Sequence, residues 1–197
     1  MKKSLACLGL VVVTICLSSG TQAQMKDTGV FIGGGLCYAW NNFYTNGLEN
    51  YAMEKFNVGN VSIDEVDDAW GFNLFAGYRF IKYFSLEVNH NWYDNFKIDT
   101  NFGSYDLNIF TLMLDVKAMF PLFENRIVPY IRLGGGLMHA ELENEDQDEA
   151  AWNIGAGIDY FLNQNISIGI DGKYVRGTDD FNDIKYFVGS CVIGYHF

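Results

Sequence analysis

The densest run of reactive side chains is Glu141-Leu142-Glu143-Asn144-Glu145-Asp146-Gln147-Asp148-Glu149, with six carboxylates in nine residues. Hard divalent cations take several oxygen ligands, so calcium binding is the chemistry such a run could do. The spacing fits a calcium loop only loosely, and the Gly needed at its sharp turn is missing. A solvated, self-repelling loop is the favoured reading, and no metal is assigned. Asp64, Glu65, Asp67 and Asp68 form a second acidic patch that is read the same way. Acyl-transfer chemistry would need a histidine within reach of a nucleophile. The three histidines are His90, His139 and His196. Ser85 lies an odd number of residues from His90, which puts it on the opposite face of a strand. His139 is followed by Ala140 and Glu141. All three histidines are therefore read as interface dwellers, and no catalytic residue is assigned. Gly33-Gly34-Gly35 and Gly134-Gly135-Gly136 lead into no helix pattern, so they are not phosphate loops and imply no cofactor. They mark curvature or tight packing in strands.

The elements carrying these residues alternate with period two, the signature of strands. Over residues 152–160, Trp152, Ile154, Ala156, Ile158 and Tyr160 alternate with Asn153, Gly155, Gly157 and Asp159. Segments 70–80, 84–92 and 166–174 repeat the pattern, and 30–40, 110–120, 131–139 and 186–197 show it less cleanly, giving eight candidate strands. They run about ten to thirteen residues, against about 5–6 for soluble strands and about 9–11 for a tilted membrane strand. Aromatics stand at their ends: Trp70 and Phe80, Phe84 and Trp92, Trp152 and Tyr160, Tyr186 and Phe197. Those are the places of two interfacial girdles. The apolar rows thus face outward and the Gly-rich polar rows inward.

On the inward parity stand Arg79, Glu87, Asp115, Lys117, Arg132, Asp159, Asp171 and Lys173, four of each sign. Charges in a narrow lumen are expensive unless paired, so these are expected to pair and to plug the interior. A selective pore would carry an excess of one sign. Cys37 and Cys191 fall on the first and last strands but on opposite faces, so they are expected to stay free thiols.

Connections alternate in length. Residues 81–83, 121–126 and 162–165 are short, whereas 41–68, 93–104, 141–149 and 177–183 are read as longer loops. Ahead of the strands, Lys2 and Lys3 precede an apolar stretch over 5–17, with Ser18, Ser19, Gly20 and Ala23 after it. Residues 1–23 are expected to be a signal peptide, leaving 24–197 as one barrel domain. The chain has 197 residues with 13 basic and 24 acidic side chains, a net charge of -11 that argues against nucleic acid as a partner. At 49% apolar and 19% charged, it is not a disordered chain.

The chain closes on Tyr195-His196-Phe197, with Phe197 on the apolar parity of Tyr195 and Ile193. Together with the eight amphipathic strands, this resembles the small eight-stranded outer-membrane β-barrel family of the outer-membrane-protein-A-like and opacity-like kind. The resemblance covers residues 29 to 197. It implies an all-β, antiparallel transmembrane barrel with short periplasmic turns, longer extracellular loops and both termini in the periplasm. It also implies that Tyr195 and Phe197 form the signal read by the barrel assembly machinery. Outer-membrane lipid and lipopolysaccharide are the implied surroundings, and a monomer is expected. A structural or surface-interaction role comes first, a small channel for ions or hydrophobic solutes second, and a lipid-modifying enzyme last, since no catalytic cluster is visible.

Overall fold

The computed structural model describes residues 24–42, 63–100, 103–142, 145–178 and 184–197. The leader read at residues 1–23 lies outside them. The strands are β1 (Gly29–Asn41), the short β2 (Ile63–Val66), β3 (Ala69–Ile81), β4 (Phe84–Thr100), β5 (Gly103–Met119), β6 (Ile127–Leu142), β7 (Glu145–Phe161), β8 (Ile166–Gly177) and β9 (Lys185–His196). The eight long ones form the barrel. Each pairs antiparallel with both neighbours, and β1–β9 together with β4–β5 close the ring. Closure gives the backbone N–H and C=O groups of the wall partners within the sheet, the condition for a wall facing hydrocarbon.

β2 pairs with β4 at Ile98–Thr100, beyond the ring. Residues 41–68 are therefore not the uninterrupted loop expected. Two further connections are shorter than the sequence suggested. β4 and β5 stay paired out to Thr100↔Gly103, and β6 and β7 out to Leu142↔Glu145. The acidic run 141–149 is thus the end of a hairpin rather than a loop. The cause is the backbone. A ladder satisfies N–H and C=O groups wherever two strands continue, whether or not their side chains alternate in polarity. The apolar rhythm stops where the outward greasy band stops, and the strands run on.

The outward rows are as the alternation predicts. Trp70 (65% exposed), Phe72, Leu74, Leu133, Ile154, Ile170 and Ile193 all face away from the ring. The core lies inside. Its short-turn end holds Met25, Met119, Val128, Tyr130 and Phe161. The middle is polar. The opposite end is filled by an apolar cluster that includes Cys37, Tyr93, Phe96, Ile109, Met113, Met138, Val175, Tyr186 and Val188. A bulge between Tyr93 and Phe96 keeps both rings inside: Tyr93 faces Ile109 in register and Phe96 faces Leu107, so one residue is extra on β4.

Candidate functional site: the barrel interior

The middle of the lumen is built from alternate residues of six strands. Arg132 on β6 is its hub. Its guanidinium lies 2.9 Å from Asp171 Oδ2, 3.2 Å from Asp115 Oδ2 and 3.4 Å from Glu87 Oε1. Lys117 Nζ donates to Glu87 Oε2, and Glu87 is wholly buried. Asn153 Nδ2 donates to Asp115 Oδ1 at 2.7 Å, and the Tyr130 hydroxyl donates to Asp171 Oδ2 at 3.0 Å. Beside Gly134 the space is taken by the Asp115 carboxylate, so a Cβ there would collide with it. That glycine serves close packing, as the sequence suggested.

Five of the eight charges read from sequence, Glu87, Asp115, Lys117, Arg132 and Asp171, therefore form one network. The other three do not join it by ion pairs among the described residues, which corrects the expectation of pairing throughout. Lys173 gives its ammonium to amide oxygens, Asn91 Oδ1 at 2.8 Å and Asn89 Oδ1 at 3.4 Å. Those amides are held in turn by Asn73 and Thr111. Arg79 donates to the Lys26 carbonyl at 2.8 Å. Asp159 lines a small cavity with Arg79, Ser85 and His196. Buried donors must be met by some acceptor, and for Lys173 and Arg79 amide and backbone oxygens stand at hydrogen-bond distance where a carboxylate oxygen does not.

The histidines divide. His90 and His139 lie on the outward parity, His90 edge-on to Trp92 at 4.1 Å and His139 bonded to Asp148 Oδ1 at 2.8 Å. His196 does not dwell at an interface. It is buried inside, with Nε2 2.9 Å from Ser167 Oγ and Nδ1 3.5 Å from an Arg79 nitrogen. Sequence parity holds the signal, since His196 is out of step with Phe197; what parity lacks is the register bringing β8 and β9 together. The Ser167–His196 pair has a guanidinium where a hydrolytic triad places a carboxylate. A cation there opposes the imidazolium that general-base action must form, so the arrangement is not that of a hydrolytic triad; the contact joins β8 to β9.

Of the acidic run, Glu141 and Asp148 are exposed, and Gln147 Nε2 donates to Glu149 Oε1 at 3.2 Å. Glu145 and Asp146 hold register positions opposite Leu142 and Glu141, and Glu143 lies outside the described residues. Among the described residues, no three His, Cys, Asp or Glu side chains are grouped to hold a metal ion. Cys37 is buried and Cys191 exposed, and Cys191 stands opposite Leu36 in register, so the two thiols are separate as the parity required. Tyr195 and Phe197 point outward with rings 5.0 Å apart, and the Phe197 N–H donates to the Val30 carbonyl at 3.0 Å.

Solved barrels share this architecture. Neisserial surface protein A superposes with a TM-score of 0.64 at 14% identity, over 87% of this chain and 99% of that one. OprG from Pseudomonas aeruginosa does so with 0.60 at 17% identity, over 89% and 99%. Ail of Yersinia pestis, in complex with the heparin analogue sucrose octasulfate, gives 0.56 at 15% identity, over 87% and 100%. No curated protein sequence matches the chain. Residues 9–197 match the model of the outer membrane protein beta-barrel domain, and the chain belongs to that family.

Proposed function

We propose that this outer-membrane barrel has a structural or surface-interaction role and that its lumen does not conduct. The observation that carries the reading is Arg132, buried and within ion-pair distance of three carboxylates from three other strands. Such a hub ties β4, β5, β6 and β8 together across the axis and leaves no single-sign lining for ions to follow. The apolar clusters above and below it oppose ion passage further, because an ion entering them loses its hydration. The short-turn end, where Met25 and Phe197 both lie, is assigned to the periplasm, and the opposite end with its exposed Glu141 and Asp148 to the cell surface. Outward tryptophans there would meet lipopolysaccharide, and Tyr195 with Phe197 would be read by the barrel assembly machinery. The closed ring has no free edge among its eight strands, which supports a monomer.

Ail binds a polyanion, sucrose octasulfate, in its crystal structure. A chain of net charge -11 is a poor match for such a ligand, so a cationic or neutral partner suits this surface better. Planar-bilayer recording of purified protein tests the closed lumen. No steady single-channel steps are expected, and steps of uniform size would overturn it in favour of a channel.

A further inference from the structure

At the short-turn mouth, the segment ahead of β1 does more than lead into the barrel. Met25 is 2% exposed and packs with Met119, Val128, Tyr130 and Phe161. Its N–H donates to the Asn125 carbonyl at 3.1 Å. One residue on, the Lys26 carbonyl accepts from Arg79 Nη1 at 2.8 Å. Arg79 is itself 4% exposed and spends this bond on backbone rather than on a carboxylate.

The turn that holds Met25 is built at a cost. Phe123, Glu124 and Asn125 have φ of 49°, 56° and 64°, three successive non-glycine residues in the left-handed region. L side chains adopt that region reluctantly, and such strain persists where surrounding contacts over-determine it. Here it presents a carbonyl to Met25. Just inside lies a cavity of about 20 Å³, room for about one water. Met119 and Tyr130 border both the cavity and the Met25 pocket. Ser85 Oγ and Arg79 Nε, both on residues that line the cavity, have no hydrogen-bond partner among the described residues.

We propose that the short-turn mouth is a socket for an extended peptide and that residues 24–26 are its resident occupant, a cork over a hydrated chamber. The socket takes one apolar side chain in the Met119–Val128–Tyr130–Phe161 pocket, one N–H at Asn125 and one carbonyl at Arg79. A single water in the chamber bridges Ser85, Arg79 and Asp159. The inference rests on the geometry of this end and not on the surface role proposed above.

The test uses Ser85→Cys in protein lacking both native thiols (Cys37→Ser, Cys191→Ser), purified from membranes, with a charged methanethiosulfonate as probe. Folded barrel is verified by its heat-dependent gel mobility. With residues 24–26 in place the thiol is expected to be inert; with Met25→Asp added it is expected to react at least tenfold faster. Ser190→Cys, in the far half of the lumen, serves as control and should keep its rate. Equal rates at Ser85→Cys with and without Met25→Asp would overturn the cork. So would a parallel rise at Ser190→Cys, which would mean general loosening. If Met25→Asp does not fold, Met25→Ala removes the side chain without adding charge and is read against the same outcomes.

Discussion

Arg132 shows how a narrow barrel tolerates charge. Removing a guanidinium from water is costly, and the three carboxylates, the Tyr130 hydroxyl and the Tyr130 ring face offset that cost. Replacing it by Met would leave Glu87 paired with Lys117 and would strip Asp115 and Asp171 of the ion pairs they make with Arg132. Arg132→Met is therefore expected to lose about 3–5 kcal/mol, read as a lower urea midpoint for the barrel folded into lipid. Replacing Glu87 by Gln together with Lys117 by Met removes a pair rather than a partner, and should cost less than the two single changes added. A sum that is strictly additive would show that the pair is not coupled. All eight charges are legible on the inner parity, because that needs only counting by twos. Counting cannot say that Arg79 and Lys173 are served by a backbone carbonyl and by amides. Those partners depend on register across the barrel and, for Arg79, on Lys26, which belongs to no periodic pattern.

The strands are legible where one face meets hydrocarbon and illegible beyond it. Residues 70–80 and 152–160 follow their alternation to the last aromatic. The acidic hairpin 141–149 reads as a loop because the β6–β7 ladder continues there without any alternation of apolar and polar residues to announce it. The inward apolar cluster escapes a sequence reading for a related reason. Ile109, Met113, Val175 and Val188 sit in rows broken by polar members such as Thr111, Asp115, Lys173 and Ser190, and an apolar residue there reads as noise until the neighbouring strands are in place. The division along β6 makes a prediction. Leu133, 61% exposed and near the middle of the outward band, faces acyl chains. Leu133→Arg should cost about 2–4 kcal/mol. Glu141→Arg, on the same strand and the same outward parity but past the band, should stay within about 0.5 kcal/mol. Equal costs at both positions, measured by denaturant unfolding in the same lipid, would remove the band as the boundary between the two.

All 4 tryptophans report on how the whole barrel sits in its solvent. Trp40, Trp70, Trp92 and Trp152 are each exposed, each on the outward parity, and each near the end opposite the short turns. The exposed aromatic residues at the short-turn end include Tyr78, Phe80, Phe84, Phe120, Tyr195 and Phe197, with no indole among the described residues there. Indoles settle where hydrocarbon gives way to headgroup, since the ring is apolar and its N–H wants a partner. Intrinsic fluorescence in bilayers should therefore be quenched by brominated lipids, most strongly when the bromines lie close to the headgroups and least when they lie at the chain ends. A soluble barrel of the same sequence would turn these rows inward and show no lipid quenching at any depth. Quenching that peaked at the bilayer centre would be equally damaging, because it would place the girdle, and with it the Arg132 network beneath it, at the wrong height in the membrane.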